Sequence, residues 1–263
     1  MLQGRPLLAI VVTLLSLTVA CGDDSPGADD DAGRDAASTP DSGANPNPNP
    51  NPNPTPGDPP SGTFRMDAEG WVVFDIEEVA GMNPPDPWVF RDDAPCANGD
   101  ECGHLGDGYY QFTGAGMCSQ LGRERDVGQM EVSFEVQEAG LYRFAWRNLR
   151  DHTGGCGDDR NNDSYVSFPT SSGDEHFREP FKVFGGGSGS FNWTASYDIE
   201  EVGKNRVCIE LEAGTHTLRI AGRSNQHVID RVAIGQTDGT IDGCRNGRVI
   251  RDLDDREPTG RVP

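Results

Sequence analysis

The sequence predicts an all-β domain, an antiparallel β-sandwich or jelly roll, carried behind a stretch unable to fold. Three observations predict it. Short runs between residues 64 and 237 alternate apolar and polar side chains with period two, Gly-rich turns separate them, and no segment sustains a helical period. With no helical runs alternating with the strands, a doubly wound fold is excluded and two packed antiparallel sheets remain.

The elements follow in order. Val132, Phe134 and Val136 alternate with Ser133 and Glu135, Ala139-Gly140 turns the chain, and Tyr142, Phe144 and Trp146 alternate with Arg143 and Ala145. This pattern reads as a hairpin of two half-buried strands. The same grammar returns at Val207, Ile209 and Leu211, then Glu212-Ala213-Gly214, then His216, Leu218 and Ile220. Further strands are expected at residues 71–79, 109–113, 165–168, 181–184, 191–197 and 228–234.

Residues 6–20 are apolar, follow Arg5 and stop at Cys21, the parts of a secretory signal over residues 1–20. The run falls short of the roughly 20 residues that span a bilayer. Leu17-Thr18-Val19-Ala20-Cys21 resembles the lipobox of bacterial lipoproteins, departing from it at Thr18, where Leu is commoner. The resemblance implies lipidation of Cys21 and a lipid-anchored place in the bacterial cell envelope, on the outer membrane or cell surface; an ordinary secreted chain is the alternative. Acyl chains hold a protein on a membrane at about 0.8 kcal/mol per buried methylene. Residues 21–63 form a tether: rich in Asp, Pro, Gly and Ser, with Asn-Pro repeated over residues 45–54, they offer too little apolar surface to offset ordering entropy. Alternating proline favours polyproline II at about 3.1 Å per residue, a semi-stiff spacer. The folded domain is expected over residues 64–237, and residues 238–263 as a partly ordered extension fixed by Cys244.

A net charge of −21 argues against nucleic acid or anionic lipid as partner, since those surfaces call for a basic footprint. Part of that charge lies in the tether. Beyond Cys21 the chain has Cys96, Cys102, Cys118, Cys156, Cys208 and Cys244, and an even number in an exported chain reads as disulfides. Favoured pairs are Cys96 with Cys102 across a short turn-rich loop, then Cys118 with Cys156 and Cys208 with Cys244. Zinc is disfavoured, because no CxxC pair occurs and His104 stands alone.

The order Phe74-Asp75-Ile76-Glu77-Glu78, a Gly-Tyr-Tyr strand, Glu138-Ala139-Gly140-Leu141-Tyr142-Arg143, Asn162 to Val166, Trp193, Glu212 to Leu218 and Ile229-Asp230-Arg231-Val232 is similar to non-catalytic carbohydrate-binding modules of families 6 and 35. That resemblance spans residues 70–236 and implies a galactose-binding-like sandwich, a structural calcium and a sugar gripped in rim loops. Carried over, Asp75, Glu77 and Asp230 are the calcium ligands, although Asp75 stands where that family has Glu. Asp75 and Glu77, two apart on a strand, would share a face. Asp230 alternates with Val228, Val232 and Ile234, where a lone carboxylate is costly to bury. Its partner is either calcium or an arginine, Arg147 or Arg223.

A sugar asks for a flat aromatic face and a few fixed hydrogen bonds. Trp193, beside the Gly185–Ser190 loop, is the aromatic candidate, with Tyr110 or Trp88 opposing it; Arg147, Asn162, Asp163 and Asn225 are the polar ones. A core tryptophan at a strand end is the alternative for Trp193. The run 158–163 lacks the glycine and terminal glutamate of an EF-hand loop. Gly185 to Ser190 is neither a nucleophile elbow nor a phosphate loop, and the only His–Arg cluster for a lyase is His152 with Arg147 or Arg150. A monomeric, non-catalytic glycan binder is the leading reading. A protein-interaction or structural surface lipoprotein comes second and a polysaccharide-active enzyme third.

Overall fold

In the computed structural model of this chain, residues 62–93, 103–150, 157, 159–246 and 253–263 are described, with Ser188 described by its backbone alone. Residues 21–61 of the tether, with Cys21, and also Cys96, Cys102, Cys156 and His152 lie outside the described residues.

The elements in chain order are β1 (Phe64–Arg65), β2 (Trp71–Asp75), α1 (Glu77–Ala80), β3 (Trp88–Arg91), β4 (Tyr109–Phe112), β5 (Met130–Val136), β6 (Gly140–Arg150), β7 (Asp163–Ser167), β8 (Phe181–Phe184), β9 (Gly187–Ser188), β10 (Asn192–Thr194), β11 (Ser196–Ile199), β12 (Gly203–Arg206), β13 (Cys208–Leu211), β14 (Gly214–Gly222), β15 (His227–Gln236) and α2 (Ile241–Asn246). Two sheets face each other, as expected for an all-β sandwich. The smaller has seven strands in the order β1-β5-β14-β7-β8-β11-β12. The larger has eight, β10-β6-β15-β4-β3, with β13 and β9 also on β6 and β2 on β15. Pairing is antiparallel apart from β1 on β5 and β9 on β6.

Both expected hairpins are corrected. β5 pairs with β14 and β6 with β13, so the Ala139-Gly140 turn carries the chain from one sheet to the other, as does the Glu212 to Gly214 turn. Alternation fixes which face of a strand is buried; it does not say which neighbour the strand takes. The two turns lie side by side, with Val136 opposite Gly214 and Gly140 opposite Leu211. The stretch 191–197 also divides: β10 lies on the larger sheet and β11 on the smaller, with Ala195 buried between them. The strand expected over 71–79 stops at Asp75, and Glu77 begins a helical turn.

Phe74, Phe112, Phe134, Phe144, Trp146 and Phe168 are fully buried between the sheets. Phe144 meets both Trp146 and Phe168 edge to face, with ring centroids 5.4 and 5.5 Å apart. Gly222 is held by this packing, since a methyl group there would overlap the Phe112 ring. A disulfide joins Cys208 of β13 to Cys244 of α2, as expected, and Cys118 is disulfide-bonded to a partner outside the described residues. The C-terminal stretch is part of the sandwich: Thr259 donates to and accepts from the Val73 backbone, and Val262 bonds Thr63 and Gly62. It covers the free edge of β2, which would otherwise expose unpaired backbone.

Replacing Cys208 and Cys244 together by Ala opens a 36-residue separation and is expected to lower stability by about 2–4 kcal/mol. Urea unfolding of the oxidised chain and the variant measures the difference.

Candidate functional site

Asp230 sits at a register shift: Ile229 pairs with Asn148 and Arg231 with Arg147, leaving Asp230 as the extra residue of a β-bulge. The bulge corrects the phase expected for this strand. Val232 and Ile234 point into the main core, while Asp230 and Arg231 both stand on the outer face of the larger sheet. There Arg231 faces Asp75 across one neighbour and Arg147 across the other. Two arginines opposed across a ladder repel, and the carboxylates relieve them. Arg231 pairs with Asp75, and Arg147 pairs with Asp230 below and Asp254 above, the latter at 2.9 Å. Asp75, Asp230, Arg147 and Arg231 are all buried.

The segment before β4 closes this row from one side. Leu105 N–H donates to both Asp230 oxygens at 3.1 and 3.2 Å, and Asp107 N–H donates to Glu77 Oε1 at 2.6 Å. Gly106, with φ near +64°, lies so close to Glu77 and Asp75 that a methyl group would overlap both carboxylates. Asp75 and Glu77 thus lie against Gly106, and Asp230 against the neighbouring Leu105. Their partners, however, are guanidinium and backbone N–H donors, whereas calcium takes six to eight oxygen ligands. Among the described residues no group of three acidic, His or Cys side chains is arranged to hold a metal. The residues as arranged do not fit the calcium and do fit the arginine alternative, with Arg147 as the partner of Asp230.

Burial acts on the same carboxyls. Glu77 is pushed up to about 7 by desolvation, helped by the neighbouring charge of Asp75. Asp230 is also pushed up to about 7, because desolvation outweighs the pull of Arg147.

The aromatic candidates divide. Tyr110 is fully buried and its hydroxyl donates to Gly81 O at 2.8 Å; Trp88 is buried, with Nε1 donating to Gly128 O at 2.9 Å and its ring edge-on to Phe112. Neither presents a face to a ligand, which corrects both expectations; alternation along β3 and β4 turns these rings inward. Trp193 is half-buried on the outer face of the larger sheet, where its indole N–H donates to Asp254 at 2.7 Å. Arg147, the next polar candidate, is committed to the ion pairs above. Asp163 is buried against Arg223 and the Ser224 hydroxyl. Asn162 and Asn225 stay half-buried at the same end of the sandwich, tied through their backbones to Gly185 and Ser119.

A surface that the sequence reading missed lies on the outer face of the smaller sheet. An open groove of about 810 Å³ runs over Tyr165 of β7, Lys182 of β8 and Asp198 of β11. Arg125 and Arg223 lie 5.7 and 5.8 Å from the Tyr165 ring centroid, and Arg223 is aimed by its pairing with Asp163. Lys182 pairs with Asp198 at 3.2 Å. Glu175, Glu179, Glu200 and Glu201 form an exposed rim. Tyr165 alternates with the core residue Val166, and that alternation was the available sign of an aromatic ring on the outer face.

No protein-family model matches the chain, and no curated protein sequence does. Among solved structures, it is similar to the GH26-CBM35 β-(1,4)-mannanase of Podospora anserina, at TM-score 0.36 and 16% identity, over 65% of this chain and 29% of that one. It is also similar to a family 35 carbohydrate binding module from Clostridium thermocellum, at TM-score 0.35 and 12% identity, over 62% of this chain and 96% of that one. The CBM6cm-2 module of Cellvibrio mixtus lichenase 5A, solved with cellotriose, gives 0.33 and 13%, over 63% and 97%. The chain thus spans under a third of the mannanase. Likenesses of this size leave the chemistry to the site itself.

Two outcomes follow from the charged row. Glu77 and Asp230 hold protons more readily folded than unfolded, so they stabilise the fold on the acid side and lose that contribution as pH rises towards 7. Glu77→Gln is therefore expected to match the parent near its ordinary carboxyl range, about 4.5, and to exceed it in stability above 7, read by denaturant unfolding against pH. Arg231→Met leaves the buried Asp75 charge without its partner and is expected to cost about 3–5 kcal/mol in the same assay at neutral pH.

Proposed function

We propose that this chain is a non-catalytic saccharide-binding module, held on the bacterial envelope by a lipidated Cys21 and kept clear of it by residues 21–63. The groove on the outer face of the smaller sheet carries this reading. Its walls present planar guanidinium groups at Arg125 and Arg223 and planar carboxylates at Glu175, Glu179, Glu200 and Glu201. Such groups bind pairs of hydroxyls, and an open groove of about 810 Å³ suits several linked sugar units. Tyr165, Lys182 and Asp198 sit on strands of one sheet, so the floor is set before any ligand arrives. The order of motifs from Phe74 to Val232, similar to carbohydrate-binding modules of families 6 and 35, supports the same assignment.

Two of the described histidines, His227 and His216, are spent on structural hydrogen bonds. His227 is buried, bonded to Ser164 Oγ at 2.7 Å, and pushed down to about 3 by desolvation, so it stays neutral and out of reach. His216 uses one ring nitrogen on Thr170 and the other on the Glu212 carbonyl. His176 lies on the groove, but its Nδ1 pairs with Asp174 at 2.7 Å.

The test is binding of residues 62–263 to a glycan array, beside Arg125→Ala and the double variant Glu200→Gln, Glu201→Gln. Hydrogen bonds to charged groups contribute about 1.5–3 kcal/mol, so each variant is expected to weaken selective binding about tenfold or more. A folded protein with a blank array would move the assignment to protein interaction.

A further inference from the structure

The outer face of the larger sheet carries a second arrangement, independent of the groove. Val73, Ala145 and Ala233 form a small apolar floor with Trp71 and Trp193 packed against it, and Leu253 is inserted there, 2% exposed. Its neighbour Asp254 accepts a hydrogen bond from Arg147 Nε at 2.9 Å and another from Trp193 Nε1 at 2.7 Å. Arg147 is fixed from two further directions: Asp230 pairs with its Nη1, and its guanidinium carbon lies 4.9 Å from the Phe191 ring centroid. A rigid N–H fork therefore stands ready beside an apolar shelf, and its bound carboxylate belongs to the same chain.

We propose that Arg147 and Trp193 form a carboxylate-binding site that Asp254 occupies in cis, so that Leu253-Asp254 acts as a built-in competitor of a carboxylate-bearing saccharide. The choice of saccharide rests on the reading of the groove; the carboxylate rests on the geometry alone. Burial separates what can leave from what cannot. The Asp254 side chain is 52% exposed, whereas the buried Thr259 is bonded to the Val73 backbone further along. Asp254 can swing away without undoing the edge of β2. An incoming carboxylate recovers the same two donors, Arg147 Nε–H and Trp193 Nε1–H, while Leu253 keeps its place on the apolar shelf.

The experiment uses the chain in a Cys21→Ser form, with Asp254→Ala and Asp254→Asn compared against the parent. Tryptophan fluorescence and calorimetry follow titration with acetate, glucuronic acid and glucose. Asp254→Ala is expected to bind acetate and glucuronic acid at least tenfold more tightly than the parent, and to gain nothing for glucose. Asn still offers an oxygen to Trp193, so Asp254→Asn is expected to gain less. Adding Trp193→Phe, which removes the N–H donor, is expected to abolish the gain. A folded Asp254→Ala chain with no gain for either anion overturns the proposal, and if that variant fails to fold, a folded Asp254→Asn chain with no gain overturns it equally. Acetate reports the site whatever the saccharide reading: a gain for acetate alongside a blank glycan array for the parent would sink the groove assignment and keep this one.

Discussion

One extra residue in β15 governs how the larger sheet is finished. Without the bulge, Asp230 and Arg231 would fall on opposite faces, and one of the two charges would enter the core between Ile229 and Val232. With it, both stand on the outer face, and the sheet carries a row of charge in which two adjacent arginines, Arg231 and Arg147, are flanked by Asp75 on one side and by Asp230 and Asp254 on the other. The four inner members, Asp75, Arg231, Arg147 and Asp230, are buried, so removing one of them leaves a neighbour without compensation, which is the costly way to break a buried ion pair. The row also ties together parts distant in sequence. It joins β2, β6 and β15, receives the Leu105 N–H from the segment before β4, and reaches the C-terminal stretch through Asp254 and the Arg256 carbonyl, which accepts from Arg231.

This row decides what each face of the molecule can do. The larger sheet is covered where Leu253 lies on the apolar shelf and Thr259 shields the β2 edge. Arg256 adds to that cover, pairing with Asp67 and Glu69 and lying over the Trp71 ring. On the smaller sheet Tyr165 is buried beneath Arg125 and Arg223, while Lys182 and Asp198 beside it line an open groove. Both surfaces pair their cations with carboxylates of the same chain; they differ in that the larger sheet is covered by the C-terminal stretch and the groove is open.

Period-two alternation was enough to read the sandwich, since it reports which side chains are buried, and β8 was read to the residue. It was not enough to read partners. The Ala139-Gly140 and Glu212-Ala213-Gly214 turns look like hairpin turns, yet each crosses between sheets, because a glycine turn serves either geometry. The bulge at Asp230 was invisible for a related reason: alternation counted through an inserted residue puts everything on one side of it out of phase. Arg147 was named from the sequence as a possible partner of Asp230, while Arg231 as the partner of Asp75 comes from register. Trp193 was singled out as the aromatic of a sugar site beside the Gly185–Ser190 loop, and it lies on the outer face of the larger sheet. Its partner Asp254 lies 61 residues away in a tail that composition alone made look peripheral.

The most direct test of the charged row is a crystal structure of residues 62–263 grown in millimolar calcium chloride. The account expects Arg231 on Asp75 and Arg147 on Asp230, with the Leu105 and Asp107 N–H groups still facing Asp230 and Glu77. A calcium ion bound among Asp75, Glu77 and Asp230, with the two guanidinium groups displaced, would contradict it.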